Sequence, residues 1–227
     1  MKLATFLLVL LGLTTLSLAF AARPKGGRPI PTRMPCTGQA RYRIFFKYQW
    51  TPARFPMDFP PLEDAVFSPL TGAAHMRRFS PYTVFGYANP GVQQIAETGN
   101  NAIILEEWAD NQFVGNFSAS DGPAMYNTNH TIYLTTTPEY TRITALTMVF
   151  PSPDWFTGVA NREMCSTSGR WLNNRWGLLY PLDGGSDSGI TYLSPNQATE
   201  PRENIAPILR QPFRGLPVGY YDITRVA

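Results

Sequence analysis

Residues 40–50 read ARYRIFFKYQW. In an extended conformation Tyr42, Ile44, Phe46, Tyr48 and Trp50 share one side, and Arg41, Arg43, Lys47 and Gln49 share the other, interrupted by Phe45. Strand side chains point alternately to opposite faces, so this is a half-buried β-strand with a polar outer surface. Working outward, further strands are expected at 102–108, 130–136, 143–150, 175–182, 190–193 and 220–226. The stretch 143–150, ITALTMVF, is apolar on both faces, as a central strand should be. Residues 51–92 are proline-rich and irregular, and GVQQIAE (91–97) reads as one short helix or turn. No amphipathic helix of three turns and no internal repeat is found. Strands without long helices, joined at short spacing, indicate an all-β two-sheet antiparallel sandwich; a barrel is the alternative that pattern alone leaves open.

Composition agrees with this. Charged residues are 15% and hydrophobics 44%, which excludes wholesale disorder. The 21 prolines and 18 glycines suit many turns better than a helix bundle. Two histidines and two cysteines are too few for a multi-histidine metal site or a thiolate zinc site.

The first 21 residues run from Met1-Lys2 through an uncharged apolar stretch to Ala19-Phe20-Ala21. A basic start, an apolar run and small residues at the cleavage offsets read as a secretory signal peptide, so the mature chain is expected to be secreted and extracellular. An uncleaved anchor is the alternative. Residues 22–35, ARPKGGRPIPTRMP, carry Arg23, Lys25, Arg28 and Arg33 and no acid, and are expected to form a basic Pro/Gly-rich arm. The arm could touch heparin-like polyanions or anionic surfaces, or simply be a solvated leader. The chain has 19 Lys and Arg against 16 Asp and Glu. Five of those cations lie in residues 1–35, so residues 36–227 carry a net −2.

In a secreted chain with two cysteines, one disulfide between Cys36 and Cys165 is the simplest reading. Two N-glycosylation sequons, at Asn116 and Asn129, are expected to mark surface loops.

Carboxylates are sparse, so two loops stand out. PSPDWFTG (151–158) places Asp154 between a proline and an aromatic residue. DGGSDSG (183–189) holds Asp183 and Asp187 among three glycines that allow the backbone to curl and bring them together. Convergent carboxylates call for a cation, and Ca²⁺ takes six to eight oxygens of the kind such loops supply. The alternative is turn chemistry, each aspartate capping its own backbone.

Four segments carry a family resemblance: SPLTGAAH (68–75), GVQQIAETG (91–99), PSPDWFTGV (151–159) and DGGSDSGITYLSPNQATEP (183–201). Together they resemble the spondin N-terminal domain, over about residues 36–227. The resemblance implies an eight-stranded antiparallel β-sandwich, similar to the C-two-type calcium-binding fold. It implies Ca²⁺ held by Asp154, Asp183 and Asp187, and it pairs Cys36 with Cys165. Some relatives use a further acidic ligand upstream of the first loop; here that stretch is Thr135-Thr136-Thr137, with Glu139 the nearest acid. Gly184 stands where relatives usually carry alanine, which reads as harmless.

The function implied is a secreted adhesion or recognition module of one domain, with a Ca²⁺-stabilised loop end. Its expected partners are matrix proteins, cell-surface proteins or glycans, without nucleic acid and without stable membrane insertion. Residues 1–227 contain no Arg-Gly-Asp tripeptide. Two rivals remain. Ca²⁺-dependent lipid binding would need exposed apolar residues at the loops, for which Trp155 and Phe156 are candidates. A serine hydrolase would use His75 and Ser188, with Asp121 as third member, but the segment 186–189 lacks the flanking glycines of the nucleophile motif and Gly-x-Ser-x-Gly is absent too. The chain is therefore expected not to be an enzyme.

Overall fold

The alternating stretch forms strand β1 (Ala40–Tyr48), with Tyr42, Ile44, Phe46 and Tyr48 fully buried. The computed structural model describes residues 33–227. It pairs β1 with β6 (Asn129–Thr136) on one side and β12 (Gly219–Arg225) on the other, and β9 (Asn174–Leu179) completes a sheet of order β6-β1-β12-β9.

The second sheet has eight strands: β2 (Val66–Phe67), β3 (Thr71–His75), β4 (Val114–Ala119), β5 (Ala124–Met125), β7 (Arg142–Phe150), β8 (Trp155–Glu163), β10 (Pro181–Asp183) and β11 (Ala206–Pro207). All pairings between these strands are antiparallel. Of the twelve strands among the described residues, eight run for five residues or more, and these carry the expected all-β sandwich.

Strand β7 explains the layering. Ile143, Ala145 and Val149 point into the core between the sheets, with Tyr42, Ile44, Phe46 and Trp155. Leu146 and Met148 point the other way, into a second core. That outer core is roofed by two helices, α1 (Pro90–Thr98) and α2 (Ala102–Ala109), through Val92, Ile95, Ile104 and Trp108. Both faces of β7 are thus dry, which is why its sequence does not alternate.

The helices agree with one sequence expectation and correct another. GVQQIAE lies in α1, started by Asn89, whose Oδ1 accepts from Val92 N at 2.8 Å. Residues 102–108, expected as a strand, form α2 instead. Their near-continuous apolar run hides a four-residue spacing of Ile104 and Trp108, the two buried positions. Gly91 lets the helices meet: a Cβ there would stand 2.7 Å from Ile104 Cα.

Two other strand expectations change. Residues 175–182 divide between β9 and β10, because Pro181 has no N–H to continue the ladder, and the two halves join different sheets. Residues 190–193 form a turn held by Ser194 Oγ, which accepts from Ile190 N and Thr191 N. Tyr192 drives that turn inward, against Trp50, Trp155 and Phe213.

The signal peptide and arm residues 22–32 lie outside the described residues. The last residues assigned to the arm belong to the fold: Met34 N donates to Thr167 O at 3.0 Å, and Arg33 pairs with Glu163 at 2.7 Å. Asn116 and Asn129 lie in strands β4 and β6, not in loops. Asn129 is exposed, while Asn116 is half-buried and its Oδ1 accepts from Thr135 N. No helix among the described residues is long and apolar enough to cross a membrane.

Cys36 and Cys165 form a disulfide across 129 residues, tying the approach to β1 to the exit from β8. A loop of that length removes enough entropy from the unfolded chain to contribute about 5 kcal/mol. Replacing both cysteines by serine should lower the unfolding free energy by about that amount in chemical denaturation. A loss under about 1 kcal/mol would show that the bond does not constrain the unfolded chain in this way.

Candidate metal centre

The end of β7 opens into the first aspartate loop. Ser152 Oγ accepts from Trp155 N at 3.0 Å, closing a tight turn that carries Asp154. Trp155 and Phe156 are fully buried, one in each core, so they anchor the loop and offer nothing to a lipid surface. Asp154 is fully buried too. Its Oδ2 accepts from Ser186 N at 2.8 Å, Asp187 N at 3.1 Å and Ser186 Oγ at 3.2 Å. Its Oδ1 is buried with no hydrogen-bond partner.

The second loop wraps around this carboxylate. Asp183 closes β10 opposite Trp155, and Gly184 N donates to Asp154 O at 3.0 Å. Gly184 is a closer fit than the resemblance suggests: a Cβ there would lie 3.0 Å from Asp154 O and 3.1 Å from its Oδ2. Gly185, at φ 75°, takes the left-handed turn, and a Cβ would meet Glu203 O at 2.3 Å.

The structure brings two of the three expected carboxylates together. Asp183 lies close enough for its charge to act on Asp154. Burial first, and that charge second, push the Asp154 carboxyl up to about 6, against the pull of the Ser186 and Asp187 donors. Burial also raises the Asp183 carboxyl, opposed by Gly185 N–H and Arg210. Asp187 meets the site through its backbone. Its own oxygens accept from Gly189 N at 2.7 Å and Gln197 N at 2.9 Å. Among the described residues no three Asp, Glu, His or Cys side chains form a ready-made metal cage.

Three neighbours were not singled out from sequence. Arg210 Nη2 donates to Asp183 Oδ2 at 3.3 Å. Ser186 supplies two donors to Asp154. Glu97, at the end of α1, shares with Asp187 and Ser152 a cleft of about 180 Å³. Glu97 lies within the quoted GVQQIAETG segment, which was the available signal. Glu139 is exposed in the turn before β7, at the other end of that strand from Asp154.

The hydrolase constellation does not assemble. His75 pairs with Arg142 at the start of β7, whereas Ser188 follows the loop that wraps Asp154 beyond the end of β7. Nine strand residues separate those ends, about 27 Å. His75 is fully buried, its Nε2 facing Thr144 Oγ1 at 2.9 Å and its Nδ1 facing Met76 O at 3.0 Å. Desolvation pushes it down to about 4. Ser188 is exposed and donates to Gln197 O, and Asp121 is exposed in the turn after β4.

The paired loops, with Asp154 enclosed by the curl that starts at Asp183, are the feature on which the sequence resemblance rested. The Spondin_N family model matches residues 40–223. The chain belongs to the spondin N-terminal domain family. Spondin-2 of Rattus norvegicus is 33% identical over 208 residues, covering 89% of this chain and 60% of that protein. Spondin-2 of Homo sapiens is 30% identical over 205 residues, covering 87% and 62%. Spondin-1 of Gallus gallus is 32% identical over 188 residues, covering 78% and 23%. This spondin-type chain therefore spans under two thirds of spondin-2 and about a quarter of spondin-1.

The raised Asp154 carboxyl predicts a pH signature in chelator. The unfolded chain loses this proton near the ordinary 3.8 and the native state near 6. The native state therefore binds more protons between those values, and this group's contribution to stability falls as pH rises through the window. His75 acts oppositely, losing stability as pH falls from 6.5 towards 4. The difference between wild type and Asp154→Asn cancels the histidine. Urea unfolding at a series of pH values should give a wild-type-minus-variant difference that declines from about pH 4 to about pH 6 and is flat above. A flat difference throughout would mean that the Asp154 carboxyl titrates normally.

Proposed function

We propose that this domain is a secreted extracellular recognition module whose aspartate loops are held together by Ca²⁺. The observation that carries the calcium reading is the buried Asp154 carboxylate, with one oxygen unpartnered and a second carboxylate, Asp183, beside it. A buried oxygen without a donor is costly, and a bound cation would supply the missing partner and offset the repulsion between the two charges. Asp154 Oδ1 and the Asp183 carboxylate are the side-chain ligands that fit. Asp187 would join them only by releasing the two amides it now accepts from, and Arg210 would give up its contact with Asp183. Loop carbonyls and water would complete the oxygen set that Ca²⁺ takes.

The role of the cation in this reading is to rigidify one end of the sandwich so that exposed loop residues are presented in one arrangement. Membership of the spondin N-terminal domain family supports recognition of matrix proteins, cell-surface proteins or glycans, and gives no support to catalysis or nucleic-acid binding. The leader-like first 21 residues support secretion, and the exposed Asn129 sequon supports glycosylation there.

A second reading, Ca²⁺-dependent lipid contact, has one observation in its favour. Trp155 and Phe156 are buried, but Ile190 and Leu193 just beyond the second loop are 62% and 68% exposed. Liposome sedimentation with Ca²⁺ and with chelator decides it, recovery in the pellet only with Ca²⁺ favouring lipid contact.

Calcium should raise the melting temperature of the wild type, with stabilisation of about 2.7 kcal/mol at a hundredfold excess over Kd. Asp183→Asn should remove most of that shift. A variant that keeps the full shift would place the cation elsewhere. A screen of matrix proteins and glycans with Ca²⁺ and with chelator tests the recognition role directly.

A further inference from the structure

The end of the sandwich opposite the aspartate loops is built from arginine. The start of β1, the end of β12, the start of β7 and the end of β8 meet there, joined by the Cys36–Cys165 bond. Glu163 gathers three of these arginines, while Glu139 stands exposed at the same end. Glu163 receives Arg33 at 2.7 Å, Arg77 at 2.6 Å and Arg142 at 3.7 Å, so one negative charge answers three positive ones. The surplus continues around the disulfide. Cys165 N donates to Glu163 Oε1, and the residues after Cys165 form one wall of a cleft of about 500 Å³.

Arg170 and Arg225 stand on that cleft, both exposed. Neither lies within ion-pair distance of an Asp or Glu among the described residues. Arg225 uses Nε to reach Ala227 O at 3.1 Å, which leaves its terminal nitrogens free for another acceptor. Arg41 meets the same chain end only through its backbone, since Val226 N donates to Arg41 O, and its guanidinium lies outside the cleft lining, 5.0 Å from the Tyr133 ring centroid of β6.

The remaining lining is not that of a plain charge patch. Trp171 is half-buried at the cleft, its ring fixed by Nε1–H donating to Thr37 O at 2.9 Å. Thr37, Ser166 and Asn173 add neutral hydrogen-bonding groups. A fixed aromatic ring, hydroxyl and amide groups for sugar hydroxyls, and forked cations for sulfate or carboxylate together suit an anionic sugar polymer. Arg23, Lys25 and Arg28, which precede Arg33 in the sequence, lie outside the described residues and are no part of the cleft.

We infer that this arginine cleft at the disulfide end binds a sulfated polysaccharide. The inference deepens the recognition reading by naming a ligand class, and it is independent of the calcium reading, because the cleft lies at the end of the sandwich away from Asp154.

The test uses the full secreted chain and a heparin octasaccharide, by calorimetry and by salt elution from a heparin column, in chelator throughout. Arg170→Ala combined with Arg225→Ala should weaken binding at least about tenfold and reduce the salt slope by about two. Asn173→Asp, an exposed change that puts a negative charge into the cleft, should weaken it similarly while the melting temperature stays unchanged. Arg202→Ala combined with Arg214→Ala, exposed cations in the 201–215 segment, should have little effect. Heparin that binds the double variant as tightly as wild type overturns the inference, as does loss confined to a variant with Arg23, Lys25 and Arg28 replaced by serine. Stronger retention on phosphatidylserine vesicles than on heparin also overturns it. A missing Ca²⁺ shift in melting temperature, with heparin binding intact and sensitive to the cleft variants, would sink the calcium reading and leave this one standing.

Discussion

The burial of both faces of β7 is the constraint on which the rest of the architecture depends. A strand with one wet face could have closed a simple two-layer sandwich. Here Ile143, Ala145 and Val149 require a sheet on one side, and Leu146 and Met148 require cover on the other. The helices α1 and α2 provide that cover, and Gly91 lets them pack closely enough to do so. Because β7 is packed from both sides, the loop leaving its last residue starts from a rigid base. Trp155 and Phe156 then anchor the exit of that loop, one in each core, and leave Asp154 between them and the curl of residues 183–187.

Asp154 shows how far a fold can load a single carboxylate. Three donors from Ser186 and Asp187 compensate one oxygen, while the other has none. The result is a group pushed up to about 6 beside a second carboxylate, an arrangement that structural economy alone does not explain. At the other end of the molecule the imbalance has the opposite sign, with Glu163 shared among three arginines. The two ends of one sandwich therefore carry unlike charge arrangements.

Much of this was legible in the amino-acid order. Alternation over 40–50 identified β1 and its buried face, and the non-alternating 143–150 identified the central strand. The two aspartate loops stood out because acids are few. Errors came where period and length conflict. Residues 102–108 look continuous, yet only Ile104 and Trp108 are buried, and a helix is the conformation that places those two on one side. Residues 175–182 looked like one strand, but Pro181 breaks the ladder and hands the chain to the other sheet. Sequons expected in loops lie in strands, because three residues of sequence say nothing about backbone pairing.

The sequence by itself determined local features: which faces of β1 and β7 are apolar, which cysteines pair and which two loops carry the aspartates. These rest on side-chain period and on residue types with narrow conformational preferences. Only the tertiary structure decided that Asp154 is buried with a bare oxygen and that Asp187 turns its carboxylate to Gly189 and Gln197. Only it brought Arg210 and Glu97 to the loops, and Arg170 and Arg225 to one cleft. Those groups come from segments far apart in the chain, and their meeting depends on how two sheets and a helical roof pack, which no local pattern encodes.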